Sequence, residues 1–390
     1  MRSTTDTLDR RGTGVAPDRF REHFPVLTDT VHLACCSIAP RSRALDGAMA
    51  RMRDELHRDP TPWDLWYGEV EQGRQRFAAL IGADPAQVAV VPSATVAAFQ
   101  VASTMDWSVR SGIVTTDAEY SSVAQVWLAQ RPRGARVAVV PETRAQVPAK
   151  SYLRWIDGRT GLVSIPLVSY RTGSLLPVGE VTDMAHALGA RVVVDAYQAA
   201  GVIPIDIAEL GCDYLISGVM KYLLGLSGMA YLYTREGLCD PVNPQLTGFF
   251  GRGDPLAFDP EALDFPDDAR RFQIGIPALP VALAANAGLG LVAELDGQAV
   301  RRHVDDLVQR AVDQLTAAGV DLMLAADPAL RGPQVAVRDP DPMGLARFLN
   351  ARRIFPARGH LVRLSFHHYS STQDVDTACD AIVEWAGTRR

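Results

Sequence analysis

Short β-branched segments alternate with helical segments through the middle of this chain, and this alternation constrains the fold more than any other feature. The segments predicted to be strands are residues 88–91, 112–116, 135–140, 162–169, 191–196, 213–218 and 229–234. Between them lie helical segments such as EVTDMAHALGA, which ends at Gly189, a residue typical of helix ends. Strands that alternate with helices form a mainly parallel sheet covered on both faces. The pattern therefore predicts an α/β fold.

The alternation stops near residue 275, where an alanine-rich helix begins a different pattern. After that helix the sequence predicts a strand, a helix, a second strand and a closing helix, which together make a smaller α+β domain. A chain of 390 residues with 47% hydrophobic residues is long enough for two domains. We expect a disordered N-terminal tail (1–19), a segment packed on the small domain (20–70), a large domain (71–274) and a small C-terminal domain (275–390).

Charge and composition argue against several classes of partner. The 39 basic and 45 acidic residues give a net charge of −6 and form no basic block, so we expect no nucleic acid or anionic membrane as a partner. No apolar run approaches the roughly 20 residues of a membrane span. The N-terminus lacks the apolar middle of a secretory signal. Because the five cysteines show no metal-ligand spacing, we expect no metal and a cytoplasmic location.

One aspartate and one lysine stand out at the ends of predicted strands. Asp195 follows an unbroken valine run, at a strand end where open α/β sheets bind ligands. Lys221 stands among apolar neighbours, and desolvation lowers the pKa of a lysine and favours Schiff-base chemistry. Taken alone, Asp195 could be a helix cap, and Lys221 could extend its ammonium into solvent at a sheet edge. Together they indicate pyridoxal phosphate (PLP), with the lysine as covalent attachment and the aspartate on the pyridine nitrogen.

The segment VVVDAYQAAGVIPIDIAELGCDYLISGVMK, residues 192–221, resembles the class V branch of fold-type I PLP enzymes. That branch includes cysteine desulfurases, kynureninases, isopenicillin N epimerase and hercynylcysteine sulfoxide lyase. The resemblance extends from about residue 20 to the C-terminus. It implies the fold-type I transferase architecture, with residues 71–274 as the PLP-binding domain. By the same match, Asp195 pairs with the ring nitrogen, Gln198 contacts the ring hydroxyl and Lys221 carries the cofactor.

Further cofactor contacts follow from the same resemblance. In PSATVAAF, Ala94 and Thr95 fall at the phosphate turn of the family. The N–H groups at a helix N-terminus also suit a phosphate physically, although an ordinary capped helix is the alternative. Tyr120 falls where relatives stack a histidine or an aromatic residue on the pyridine ring. An exposed tyrosine at a helix start is the alternative there.

Arg363 lies in the segment HLVRLSF, which matches the C-terminal strand of the family. In relatives the arginine of this strand binds the substrate α-carboxylate, and a guanidinium suits such a bidentate contact. Alternation along the strand places Val362, Leu364 and Phe366 on an apolar face toward the core. Arg363 should then point toward the cleft between the domains. The alternative is an exposed arginine on a surface strand.

Departures from the family pattern reduce the number of reactions that this chain is expected to perform. The segment NARRIFPARGHLVR has no cysteine where desulfurases carry their nucleophile. Cys35 and Cys36 are expected to be buried thiols, so persulfide chemistry is not expected. Kynureninases have tyrosine where this chain has Met220, and usually histidine where it has Gln198. Gly218 replaces a serine that often binds phosphate in desulfurases, so the phosphate must find donors elsewhere.

The remaining pattern favours an enzyme that binds an amino acid through Arg363 and removes its α-proton with Lys221. The segments HLACCS and SYRTG look most like C–S lyases of the ergothioneine and lincosamide pathways, which implies β-elimination from a cysteine S-conjugate in antibiotic or other secondary metabolism. An aminotransferase, a decarboxylating oxidase and a kynureninase-like hydrolase are alternatives. A catalytically inactive PLP-binding regulator is a further one. A Rossmann-type nucleotide binder is disfavoured because no G-x-G-x-x-G follows a strand.

The assembly state follows from two further segments. TGFFGRGDPLAFDP and RRFQIGIPALP resemble kynureninase segments that follow the SYRTG loop. In relatives the second of these regions reaches the active site of a neighbouring subunit. The resemblance therefore implies a homodimer with shared active sites.

Overall fold

The computed structural model describes residues 14–238 and 243–389. Its helices are α1 (Pro17–Arg21), α2 (Arg43–Arg58), α3 (Trp63–Ile81), α4 (Ala94–Ser103), α5 (Ser121–Leu128), α6 (Val178–Ala187), α7 (Ile207–Leu210), α8 (Leu279–Ala293), α9 (Gly297–Ala317), α10 (Pro342–Ala351) and α11 (Thr372–Gly387). Its strands are β1 (Val31–Leu33), β2 (Val88–Val91), β3 (Gly112–Thr116), β4 (Arg136–Val140), β5 (Thr160–Pro166), β6 (Arg191–Asp195), β7 (Tyr214–Gly218), β8 (Ala230–Thr234), β9 (Gln334–Val337), β10 (Ile354–Pro356) and β11 (Val362–Ser365). The elements confirm the predicted α/β class.

The central sheet has seven strands in the order β2-β8-β7-β6-β5-β3-β4. Strands β3 to β7 are parallel to one another, and β8 is antiparallel to both of its neighbours. The predicted mainly parallel sheet is therefore confirmed. Strand β5 ends earlier than the predicted 162–169, because Val168 leaves the sheet and pairs with Leu175 in a turn.

Helices cover both faces of the sheet, which explains the unbroken valine run of β6. Val192 and Val194 belong to the core beneath α3, α6 and α8, whereas Val193 belongs to the core beneath α4 and α5. All three side chains are buried. A strand that is buried on both faces carries apolar residues at every position, so the first polar residue, Asp195, marks the end of the strand.

The small C-terminal domain has its own core, formed by α9, α10, α11 and strands β1, β9, β10 and β11. Strand β1 pairs in parallel with β10, and β9 pairs antiparallel with β11. The alternation predicted for the arginine strand holds, since Val362, Leu364 and Phe366 are fully buried. Arg363 is only partly buried.

Helix α8 lies between the two domains but packs chiefly with the large one. Ala282 and Ala285 belong to the core of the large domain, and only Leu291 and Val292 near the helix end join the small-domain core. The boundary at residue 275 stays a prediction, and this packing makes the end of α8 another possible position for it. Within the described ranges no single helix is long and apolar enough to cross a membrane; α8 and α9 reach that length and composition only as a pair, bent by 85°.

The N-terminal segment divides between the two domains. Helix α1 begins at Pro17, inside the predicted tail, whose residues 1–13 lie outside the described residues. Phe20 and Phe24 are buried in the small-domain core. Helices α2 and α3, in contrast, pack against α8. Only the first part of the segment therefore packs on the small domain.

The cysteines of the described residues are free and buried. They are Cys35, Cys36, Cys212 and Cys379. Cys239 lies outside the described residues. The reducing cytoplasm inferred from the cysteines stays a prediction.

Candidate active site

A cavity opens at the carboxyl edge of the central sheet, beside the N-terminal ends of α4 and α5. Its empty volume, which includes the open mouth, is about 720 Å³. Six of the residues predicted from the sequence line it: Ala94, Thr95, Tyr120, Asp195, Gln198 and Lys221. The fold thus brings together residues that lie far apart along the chain. Arg363 does not line this cavity, but its side chain donates a hydrogen bond to the carbonyl of Tyr170, which does line it.

Asp195 is the last residue of β6 and is 6% exposed. Its Oδ1 accepts a hydrogen bond of 2.8 Å from the backbone N–H of Tyr197. Burial raises the pKa of Asp195, whereas the positive charge of Lys221 acts in the opposite direction. The carboxylate therefore gains from any further cation that enters the cavity.

Lys221 lies at the same edge, three residues after the end of β7. Its side chain does not extend into solvent, since the residue is only 7% exposed. Its Nζ lies 4.4 Å from the ring centroid of Tyr197 and 5.3 Å from that of Tyr120. Burial lowers the pKa of Lys221 to about 8, and the opposing charge of Asp195 limits the shift. A substantial fraction of this amine is therefore neutral, and hence nucleophilic, near neutral pH.

A second carboxyl group, Glu119, contacts Asp195 and was not singled out from the sequence. Its Oε2 accepts a hydrogen bond of 2.8 Å from the Ser164 hydroxyl, and its Oε1 accepts one of 2.9 Å from the Tyr120 N–H. Its carboxyl group is also hydrogen-bonded to Asp195. Burial and the charge of Asp195 raise the pKa of Glu119 to about 8. Two adjacent buried carboxyl groups therefore share a proton, which resides on Glu119 near neutral pH.

The N-terminus of α4 presents free backbone donors to the cavity. The Ser93 side chain caps the helix by accepting a hydrogen bond of 3.2 Å from the N–H of Val96. The N–H groups of Ala94 and Thr95 belong to the first turn, where a helix supplies no carbonyl acceptor. Ser93, Ala94 and Thr95 all line the cavity. This end of the cavity therefore suits an anion such as a phosphate.

Gln198 presents an unsatisfied polar atom at the cavity wall. Its Nε2 donates a hydrogen bond of 3.0 Å to the carbonyl of Cys36. Its buried Oε1 has no hydrogen-bond partner in the part of the chain that the structure describes. Because an unpaired buried oxygen is costly, a bound hydroxyl group would complete the hydrogen bonding of this side chain.

Tyr120 and Tyr170 form an aromatic wall of the cavity. Tyr120 is the N-cap residue of α5 and is 42% exposed, and its ring meets that of Tyr170 edge to face at 5.2 Å. The carbonyl of Tyr170 accepts a hydrogen bond of 2.7 Å from Nη1 of Arg363. The loop that carries Tyr170 is held by the buried Glu142, whose Oε2 lies 2.6 Å from Nη2 of Arg171. Arg363 thus reaches the cavity through the SYRTG loop.

Comparison with known proteins identifies the family. The sequence model of the class-V aminotransferases matches residues 63–377. The chain belongs to the class-V aminotransferase family. A Bacillus subtilis protein described as uncharacterized aminotransferase YcbU is 34% identical over 94% of this chain and 97% of its own length. Isopenicillin N epimerase of Streptomyces clavuligerus is 28% identical over 85% of this chain and 89% of its own length.

A solved structure shows the same fold. The cystine C–S lyase C-DES, in complex with its reaction product cysteine persulfide, superposes with a TM-score of 0.85 and 20% identity over 93% of this chain and 99% of that chain. The fold-type I arrangement predicted for this class-V protein is confirmed. Family membership also confirms pyridoxal phosphate as the cofactor, and the unpaired Gln198 oxygen and the free donors of α4 suit its hydroxyl and phosphate groups.

The lowered pKa of Lys221 predicts how this class-V enzyme captures its cofactor. An amine attacks an aldehyde only when it is neutral, and an ordinary lysine has a pKa of about 10.4. We expect the rate of PLP capture by the apoenzyme to rise with pH, reach half its maximum near pH 8 and then level off. Absorbance in stopped-flow mixing measures this rate. A rate that still climbs above pH 10 would show that the burial of Lys221 does not lower its pKa.

Proposed function

We propose that this enzyme is a PLP-dependent lyase that cleaves the C–S bond of a bulky cysteine S-conjugate by β-elimination. The observation that carries the proposal concerns thiols: within the described residues, no cysteine lines the cavity. Cys35 and Cys36 influence the pKa of Lys221 electrostatically, but they are 0% and 1% exposed, and burial raises the pKa of Cys35. A sulfur atom that leaves the substrate has no protein thiol to receive it and departs as a free thiol.

The residues of the cavity suit the parts of the cofactor. When bound, the cofactor withdraws electrons from the substrate Cα. Asp195 would hold the ring nitrogen protonated, and Gln198 would bind the ring hydroxyl. The N–H groups of Ala94 and Thr95 would bind the phosphate, and Tyr120 would stack on the ring. These roles agree with the burial and hydrogen bonding of each side chain.

Lys221 would act as the base once the substrate amine has displaced it from the cofactor. A pKa of about 8 leaves a fraction of its Nζ neutral near neutral pH, as a base requires. Nζ takes the α-proton, the electron pair left on Cα forms a Cα–Cβ double bond, and the C–S bond breaks with its electrons on sulfur. The sulfur takes a proton and leaves as a thiol. The released aminoacrylate reacts with water to give pyruvate and ammonia.

The cavity wall supports a bulky substituent on the substrate sulfur. Three tyrosine rings and two methionine side chains line it: Tyr120, Tyr170, Tyr197, Met220 and Met229. Aromatic and thioether groups bind large apolar surfaces well. A substrate larger than cysteine itself would fill this space.

Arg363 is the proposed anchor for the substrate carboxylate. The Tyr170 carbonyl that accepts from Arg363 is uncharged, so it does not neutralise the guanidinium, and a carboxylate would add an ion pair with further charge-assisted hydrogen bonds. Arg363→Lys keeps the charge but loses the forked geometry, so we expect KM to rise about 10- to 100-fold with the cofactor absorbance unchanged. Steady-state kinetics measures the change, and the matched control is Arg358→Lys, at an exposed position in the loop between β10 and β11. A KM equal to that of the parent would place the carboxylate elsewhere.

The test of the reaction is product analysis without any added 2-oxo acid. The holoenzyme is incubated with S-phenyl-, S-benzyl- and S-alkylcysteines and, separately, with kynurenine, with Lys221→Ala as the blank. We expect thiol and pyruvate in equal amounts. Carbon dioxide with an aldehyde would support the decarboxylating oxidase instead, and anthranilate from kynurenine would support the hydrolase. No product from any amino acid would favour the inactive regulator.

An aminotransferase is the second candidate, because the 34% identical relative is described as an uncharacterized aminotransferase. Transamination converts the substrate to a 2-oxo acid that retains its sulfur, and sustained turnover needs a second 2-oxo acid as amino acceptor. Turnover that depends on added 2-oxoglutarate or pyruvate, with no free thiol, would therefore replace the lyase proposal.

We also infer that the enzyme is a homodimer with shared active sites. Between residues 246 and 276 the surface carries exposed apolar side chains: Leu246, Leu256, Phe258, Leu263 and Ile276. Phe258 is 74% exposed and Leu256 70%, and exposed apolar patches are typical of interfaces. Sedimentation equilibrium at micromolar concentration measures the assembly state, and a monomer would contradict the inference.

A further inference from the structure

The space above Gly218 is occupied by a tyrosine from the turn that follows β6. Gly218 ends β7 at the carboxyl edge of the sheet. A Cβ atom at this position would lie 2.1 to 2.3 Å from Cζ, Oη and Cε2 of Tyr197. No side chain therefore fits at position 218 while Tyr197 holds this position. The phenol oxygen lies 2.2 Å from the position of that Cβ, close to the space that a side chain at position 218 would use.

Tyr197 is held firmly in this position. Its backbone N–H donates to Asp195 Oδ1 at 2.8 Å, and its ring centroid lies 4.4 Å from Lys221 Nζ. Burial and the charge of Asp195 raise the pKa of Tyr197 to about 12, so the phenol keeps its proton at physiological pH and can donate it in a hydrogen bond.

The phenol hydroxyl lies at the same edge of the cavity as the N-terminus of α4. Gly218 is in register with Ala230, and Ala230 is in register with Val91. Two strand spacings separate Gly218 from Val91, about 10 Å, and the α4 donors follow Val91 directly. Both Tyr197 and Thr95 line the cavity. A phosphate at the helix N-terminus thus has room to meet Tyr197 on its other side.

We propose that the Tyr197 hydroxyl donates a hydrogen bond to the cofactor phosphate, in place of a side chain at position 218. The inference rests on the cofactor and not on the reaction proposed above. Gly218 has no side-chain donor, and Met220 offers a thioether with no N–H or O–H group. The helix N-terminus supplies only part of the hydrogen bonds that three phosphate oxygens accept. Tyr197 supplies a further donor while its ring forms the wall beside Lys221.

The test compares PLP with pyridoxal, which lacks the phosphate, in equilibrium binding to the apoenzyme. Tyr197→Phe removes only the hydroxyl, so we expect its Kd for PLP to rise about 10- to 100-fold. Its Kd for pyridoxal should stay that of the parent. An unchanged Kd for PLP would overturn the proposal, as would equal losses for both ligands. Tyr67→Phe, which removes the hydroxyl of an exposed tyrosine that does not line the cavity, is the matched control and should leave both constants unchanged.

A second pair of variants tests whether a hydroxyl at position 218, at the end of β7, can replace that of Tyr197. Tyr197→Ala clears the space above Gly218, and the double variant Tyr197→Ala with Gly218→Ser places a hydroxyl there. We expect the double variant to prefer PLP over pyridoxal more strongly than Tyr197→Ala alone. Equal preferences in the two proteins would count against a phosphate contact at this position. Because both readouts are binding constants, they stay valid whichever reaction the enzyme performs.

Discussion

Reduction of the holoenzyme with borohydride, followed by peptide mapping, is expected to place the pyridoxyl group on Lys221. The chain contains only two lysines, Lys150 and Lys221, so the experiment has two possible outcomes. Lys150 is exposed and lies outside the cavity. Lys221 is buried, and its lowered pKa makes its amine the better nucleophile.

Lys221→Ala should lose both the covalent attachment and turnover, the latter by at least about 10³-fold. The alanine leaves the cavity without a base for the α-proton. Lys150→Ala is the matched control because it removes the other lysine, and it should keep the absorbance and activity of the parent. A pyridoxyl group on Lys150, or full activity of Lys221→Ala, would remove Lys221 from the mechanism.

Asp195→Asn is expected to retain the cofactor but to slow α-proton removal about 10²- to 10⁴-fold. Loss of one partner of a buried ion pair costs about 3–5 kcal/mol, and each 1.36 kcal/mol is a factor of ten in rate. The amide cannot hold the ring nitrogen in its protonated form. The rate of α-deuterium exchange into solvent measures this step directly, whatever the later fate of the substrate.

Glu119→Gln is the matched control for that variant. Because the raised pKa of about 8 leaves Glu119 neutral near pH 7, a glutamine resembles the group already present and still donates to Asp195. Its exchange rate should stay close to that of the parent. A loss as large as that of Asp195→Asn would mean that Glu119 carries the charge on which the site depends, and that the proton resides on Asp195.

The architecture could be predicted because each strand and helix is indicated by the hydrophobic pattern of its own residues. Each strand of the central sheet is a short, largely apolar run, and β2, β3, β5 and β6 are each followed by a helix, so pattern alone places these elements in order. The strand predicted at 361–366 likewise appears as Val362–Ser365. The domain boundary was harder to place. The composition changes near residue 275, but α8 packs with the large-domain core, and composition does not reveal which core a helix joins.

The candidate site was predictable to the extent that its residues follow strand ends. Asp195, Gln198 and Lys221 lie in one quoted segment, and the sheet places them in one cavity with Ala94, Thr95 and Tyr120. Glu119 was missed although it directly precedes Tyr120. A carboxyl group after a strand is common, and nothing in its neighbours indicates that it will be buried against a second carboxyl group from β6.

The sequence by itself determined the α/β class, the order of the strands along the chain and the residues at their carboxyl ends, because hydrophobic period and strand length are local properties. Only the tertiary structure decided which of those ends meet. It paired Glu119 with Asp195, placed Tyr197 above Gly218 and joined Arg363 to the Tyr170 carbonyl. These contacts depend on strand order in the sheet and on the packing of one domain against the other, and neither is encoded in the neighbours of any single residue.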